Sequence, residues 1–339
     1  MQLSWKSFEL EFHHPFTISR HTYFSQPGII TILESGEVEG LGEATVNPYY
    51  NTSELSLINN AQKLGDHLNQ LPFNSPDELW NELRPLAGQN LFILAAINNA
   101  SWDIAGKNTM KSVREFIGIN SNDIPPTCIT IGIDSIDTMV LKMKENPWPV
   151  YKIKLGTPDD ISIVRELRKQ SDAVFRVDAN AAWTAERTIE YAPELSKLGV
   201  EFIEQPLPAS ETDGMKEVFR QSVLPVIADE SCVLEEDVEK CHGQFHGINI
   251  KLMKCGGISP GLRMIRRARE LNMKVMIGCM AESSIGISAA AQLLPLVDYA
   301  DLDGPMLIKN DSAEGLRFHN GYIELSGQPG LGISLKQQV

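Results

Sequence analysis

The chain has 339 residues, 42% hydrophobic and 22% charged with no biased tract, and it exceeds the length at which one hydrophobic core stops growing, so two cores are expected. Its formal net charge of -14 repels phosphate backbones, and the short run Arg263, Arg266, Arg267, Arg269 has the spacing of a solvated helix face, so no nucleic-acid partner is expected. No segment approaches the roughly 20 apolar residues of a membrane span. The start MQLSWKSFELEF alternates where a signal peptide would be continuously apolar, and the five cysteines form no C-x-x-C pair, which together predict a cytoplasmic protein with free thiols.

Residues 1 to about 45 read as strands and turns: LSWKSFELEF alternates with period two, GIITILES is apolar, and GEVEGLGEA is turn-rich. From about 53 to 118 the pattern is helical. SELSLINNAQKLGDHL and SPDELWNEL each open on an N-cap serine, and NLFILAAINNASWDIAGK is apolar enough for a packed helix. These predict an α+β domain over residues 1–118. Beyond Pro125 a unit of about 22 to 28 residues repeats, with strand starts near 127, 151, 173, 201, 225, 247, 274 and 299, enough to close a parallel barrel. Helices are expected at PDDISIVRELRKQ, TAERTIEYAPELSKLG, EEDVEKCHG, SPGLRMIRRARELN and ISAAAQLLP. This α/β barrel domain is assigned to residues 119–306. The turn-rich strand segment 307–339 is expected to pack back on the first domain.

Asp178, Glu204 and Asp229 each follow a short apolar run (VFRVD, VEFIE, PVIAD) and recur about every 25 residues, the pitch of one strand plus one helix. At the C-terminal mouth of a barrel they reach one cavity, and three hard oxygen donors without histidine or cysteine favour Mg2+ over zinc. Asp159, Asp160, Glu235 and Glu236 lie at helix starts and are read as caps. In YKIKLG, Lys152 and Lys154 share a strand face, Lys154 nearer its C-terminal end, with Lys152 expected to lower the proton affinity of Lys154. In INIKLMK the choice falls on Lys251, with Lys254 as the alternative. The second and sixth strands of an eight-strand ring are diametrically opposite, so two amines can face opposite sides of one substrate carbon. Removing a proton α to a carboxylate is very unfavourable unless a divalent ion stabilises the enediolate charge. One neutral and one charged lysine then invert the carbon.

The segments GLGEA (40–44), ASWDIAGK (100–107), KIK (152–154), DAN (178–180), EQP (204–206), DES (229–231), KLMKCGGIS (251–259) and PGLG (329–332) run nearly end to end. In this order they resemble the enolase superfamily, specifically its muconate-lactonizing subgroup. The resemblance implies a (β/α)7β modified TIM barrel beneath an α+β capping domain built from the N-terminal region and the C-terminal tail. It implies one Mg2+ per subunit on Asp178, Glu204 and Asp229, Lys154 and Lys251 as the acid/base pair with Lys152 as helper, and a homo-oligomer.

Fold and metal do not settle the substrate within this subgroup. YADLDGPML resembles the D-x-D motif of its dipeptide epimerases, which implies that Asp301 and Asp303 hold the α-ammonium of a dipeptide. GCMAESSIG, with Met280, is similar to the same branch, and Thr130 is a further substrate-binding candidate. Alanyl-glutamate epimerases carry an arginine five positions after the phenylalanine of the first capping loop. Here, in PFTISRHT, His21 holds that position and Arg20 the one before. Phe16, Tyr23, Phe24, Tyr49 and Tyr50 offer apolar contacts instead, which points to an Ala-Xaa dipeptide with a small or aliphatic second residue. o-Succinylbenzoate synthase, N-acylamino acid racemase or cycloisomerase activity is the alternative in the subgroup, and a catalytically silent binding or structural relative is the non-enzyme alternative.

Overall fold

A computed structural model describes residues 1–89, 91–119 and 121–336 of the chain. The strands Gln2–Thr17, Thr22–Ser35 and Val38–Thr45 form an antiparallel sheet in chain order. The segment PFTISRHT is therefore the tip of a hairpin, with a register shift between Glu11 and Phe16 and a turn in which Ile18 N donates to His21 O at 3.0 Å. The glycine-rich GEVEGLGEA is mostly strand. Its glycines answer a packing need, because a Cβ on Gly40 or Gly42 would lie 2.0 or 1.9 Å from the carbonyl oxygens of Ala100 and Ala96. Those carbonyls belong to the helix Phe92–Asn108, buried along its whole length from Phe92 to Gly106, which explains an apolar sequence with no polar face. Asn90, at the head of that predicted stretch, lies outside the described residues. The helices Glu54–Leu68 and Pro76–Leu83 are capped by Ser53 and Ser75 and close the small core over Leu57, Leu64, Leu79 and Leu83.

The barrel strands are Ile129–Ile131, Val150–Lys154, Val174–Asp178, Val200–Glu204, Val226–Ala228, Gly247–Lys251, Lys274–Gly278 and Tyr299–Asp301. They pair parallel in chain order, and a bridge between Thr127 and Ala300 joins the last to the first. These strands are covered by helices outside and packed side chains inside, so their sequences are short apolar runs without clean alternation. The expected helices appear, and Ile136–Glu145, Thr212–Gln221 and the short Leu252–Cys255 and Gly304–Leu307 join them. The second buries only Met215 and Val218, too thin an apolar stripe to stand out in TDGMKEVFRQ. The arginine run lies on the helix Ile258–Glu270, where Arg263 pairs with Glu235, Arg267 with Glu239 and Glu270, and Arg269 with Asp298. No helix among the described residues is long and apolar enough to cross a membrane.

The tail, described to residue 336, holds both bodies. Lys309 N donates to Glu11 O and Leu331 N to Asp103 Oδ1 on the capping side, each at 2.8 Å. Thr127 N donates to Gly321 O at 2.8 Å on the barrel side. The segment expected to pack back on the first domain thus also touches the barrel, as a strap across the junction.

Candidate active site

The parallel register that sets Lys154 beside Asp178 and Asp178 beside Glu204 brings the last residues of the second, third and fourth strands to one level. Asp229 follows the fifth strand directly. The three carboxylates are buried, and one oxygen from each lies within 4.8 Å of the others. Lys154 Nζ sits 2.7 Å from Asp178 Oδ2, and Lys251 Nζ, at the end of the sixth strand, 2.8 Å from Asp229 Oδ2. Lys254 is packed behind the acids, donating to Asp229 Oδ1 and the backbone oxygen of Asp229, each at 2.6 Å, and to that of Cys232 at 2.9 Å.

Lys152 is the hub. Its Nζ lies 2.7 Å from Glu204 Oε2, 2.8 Å from Asp301 Oδ2 and 3.0 Å from Asp178 Oδ2. Burial disfavours its charge, yet Asp301, Glu204 and Asp178 outweigh burial and push its pKa well up, so it stays an ammonium ion. Its charge is engaged by three carboxylates, a larger role than acting on Lys154. Burial likewise opposes ionisation of Asp178 and Asp229, but Lys154 and Lys152 bring Asp178 down to about 2, and Lys251 and Lys254 hold Asp229 well below the usual range. Burial and the neighbouring Asp178 push Glu204 up to about 7.

A cavity opens above this layer. Lys152, Lys154, Asp229 and Lys251 form its floor, and Thr130, Met280, Asp301 and Asp303 one side. Asp301 Oδ1 lies 3.0 Å from Cys128 Sγ, and Asp303 Oδ2 accepts from Thr130 N at 2.6 Å. The capping hairpin contributes Arg20, which donates to Glu230 Oε1 at 2.6 Å and Asn180 O at 3.2 Å and covers the Tyr49 ring at 4.3 Å. His21 does not reach the cavity; its ring stands edge-on to Tyr23 at 4.6 Å, because neighbouring residues of a tight turn point different ways. Phe24 is 73% exposed and lies outside it as well. Of the predicted caps, Asp160 accepts from Gly156 N and Thr157 N, whereas around Glu235 and Glu236 it is Asp237 that accepts from Val233 N and Leu234 N.

Sequence reasoning passed over Glu230, Asn180 and Cys128 as individuals. The first two sit inside DES and DAN, beside predicted ligands; Cys128 carried no signal beyond being apolar and strand-borne. Glu43, inside GLGEA, reaches from the capping sheet to accept from Ser283 N at 2.9 Å and Gly286 N at 3.2 Å, which anchors the loop bearing Met280.

The donor set fits Mg2+. Six carboxylates (Asp178, Glu204, Asp229, Glu230, Asp301, Asp303) face five cations (Arg20, Lys152, Lys154, Lys251, Lys254), and Glu204 must share its one ammonium partner with Asp178 and Asp301. A divalent ion on Asp178, Glu204 and Asp229 relieves that crowding. Because Glu204 holds its proton below about pH 7 in the ion-free protein and ligation needs the carboxylate, Mg2+ affinity is expected to fall about tenfold between about pH 8 and about pH 6. Titration calorimetry in two buffers of different ionisation heat measures both the affinity and the proton released; pH-independent affinity counts against this assignment.

The profile described as "Mandelate racemase / muconate lactonizing enzyme, N-terminal domain" matches residues 6–118, and the profile described as "Enolase C-terminal domain-like" matches residues 137–339. An L-Ala-D/L-amino acid epimerase of Maribacter sp. is 49% identical over 338 residues, covering 99% of this chain and 100% of the relative. A protein of the same name from Flavobacterium johnsoniae is 47% identical over 335 residues, again covering 99% and 100%. The crystal structure of a dipeptide epimerase from Cytophaga hutchinsonii, complexed with Mg and the dipeptide D-Ala-L-Val, matches with a TM-score of 0.95 at 25% identity, over 99% of this chain and 96% of that one.

Proposed function

The chain belongs to the enolase superfamily, in the family of mandelate racemase and muconate lactonizing enzyme, and from that membership we propose that it is a Mg2+-dependent epimerase of Ala-Xaa dipeptides, inverting the α carbon of the second residue. One observation carries the reading: Lys154 and Lys251 end strands four apart in a ring of eight, and both border the cavity that the acid triad underlies.

The dipeptide's ammonium group is assigned to Asp301 and Asp303, a pair of anions that an elimination or cycloisomerisation without such an amine does not need. Its carboxylate end then lies toward the triad, with the second α carbon between the two lysines. One lysine, neutral, takes the proton from one face; the other, charged, returns a proton to the opposite face. Mg2+, when bound, neutralises the substrate carboxylate and stabilises the enediolate charge. Lys152 supplies a fixed positive charge between the triad and Asp301.

For the second side chain, Arg20 is already engaged by Glu230, so its charge is largely compensated. Together with Phe16, Ile18, Tyr49 and Tyr50 in the cavity wall, this supports a small or aliphatic residue over glutamate. Free, mostly buried cysteines support a cytoplasmic location.

The test is a mixed L,L-dipeptide library incubated with enzyme and Mg2+ in heavy water and read by mass spectrometry. Alanyl dipeptides of alanine, valine or leucine are expected to gain one deuteron fastest. Uptake in Ala-Glu alone would return the assignment to glutamate, and uptake in no dipeptide would remove the epimerase reading.

A further inference from the structure

The acidic pair on the last barrel strand is held from the first strand, across the seam where the barrel closes. Elsewhere neighbouring strands share ladders of two or more residue pairs; here they meet in one bridge, Thr127 to Ala300, with Cys128 N reaching Ala300 O at 3.3 Å. The seam compensates with three bonds to consecutive residues of the D-x-D segment. Cys128 Sγ lies 3.0 Å from Asp301 Oδ1, Leu302 N donates to Thr127 Oγ1 at 2.8 Å, and Thr130 N donates to Asp303 Oδ2 at 2.6 Å. Cys128 Sγ is also 3.5 Å from Ala300 O, so the carboxylate is its nearer acceptor. The residue is fully buried, and burial together with Asp301 pushes the thiol pKa well up, so it keeps its proton and donates.

We infer that Cys128 is a positioning residue for substrate binding: its thiol fixes the rotation of the Asp301 carboxylate so that the lone pairs left over face the cavity. Asp301 Oδ2 accepts from Lys152 at 2.8 Å, so with Cys128 on Oδ1 both oxygens are tethered on the barrel side. A carboxylate has about four acceptor positions, which leaves room for an ammonium group on the open side. Without the thiol, Oδ1 is free to turn toward the barrel wall, and each binding event must reorder it. The inference rests on the reading of Asp301 and Asp303 as the ammonium site.

Three variants test it, C128A, C128S and D301N, each assayed with an alanyl dipeptide and Mg2+. C128A is expected to raise KM about tenfold with kcat changed less than about twofold, and C128S, whose hydroxyl donates to the same oxygen, to restore KM. If D301N raises KM and C128A does not, the positioning role is wrong while the ammonium site stands. If D301N leaves KM unchanged, the ammonium site itself falls. Infrared difference spectra of the unaltered and D301N proteins, with the Cys128 band identified by its loss in C128S, give a second readout that needs no C128A protein to fold. The S–H stretch of Cys128 should shift in D301N and on adding dipeptide, and a band that moves in neither case overturns the proposal.

Discussion

Replacing Lys154 or Lys251 by alanine is expected to lower epimerisation at least about a thousandfold, the upper range for loss of a general acid or base. Inversion needs a donor on the face opposite the acceptor, so neither lysine can cover for the other. The fold should survive both changes, because each acid keeps a cation: Asp178 retains Lys152 at 3.0 Å, and Asp229 retains Lys254 at 2.6 Å. The informative result is stereochemical. With one lysine left, solvent deuterium should still enter the epimer whose α proton faces that lysine, with retention, and the two variants should exchange opposite epimers. Mass spectrometry of separate L,L and L,D substrates in heavy water reads this directly. Equal exchange of both epimers by either variant would mean that one base serves both faces, and the two-base reading would fail.

Replacing Lys152 by methionine is expected to destabilise the ion-free protein by about 3–5 kcal/mol, the range for removing one partner from a buried ion pair. The side chain is 1% exposed and touches three carboxylates. Its loss leaves Glu204 with the Asn249 amide at 2.8 Å and Asp301 with the Cys128 thiol. Neither carries a charge. Mg2+ should recover much of the loss, since Asp178 and Glu204 belong to the set proposed to hold it, while Asp301 keeps only the more distant charges of Lys154 and Arg176 and activity remains low. Urea unfolding midpoints in chelator and in Mg2+, for variant and unaltered protein, make the comparison. An unchanged midpoint in chelator would show that Lys152 is not what balances these acids.

The barrel and the acid layer were legible because parallel strands repeat a simple constraint. A short buried run must end at the mouth, and the next begins one helix later, so Asp178, Glu204 and Asp229 recur at that pitch. Alternation along the strand separated Lys251 from Lys254, and in the structure Lys251 borders the cavity while Lys254 is turned away behind Asp229. Alternation also put Lys152 and Lys154 on one face but was silent on how many acids surround Lys152. That number depends on the register of strands distant in sequence.

What failed to be legible has the same root. Gly40 and Gly42 looked like turn residues, yet they serve the close approach of a helix about 60 residues later, a fact about two backbones and not about either segment. Arg20 and His21 are adjacent in a hairpin tip, and only the path of the turn sent one into the cavity and the other against Tyr23. Local pattern and periodicity thus determined the elements, their order and the acids and amines at their ends. Tertiary contact decided which charges share a partner, which loop residue borders the cavity and what braces Asp301, because those depend on distances between segments that no local pattern encodes.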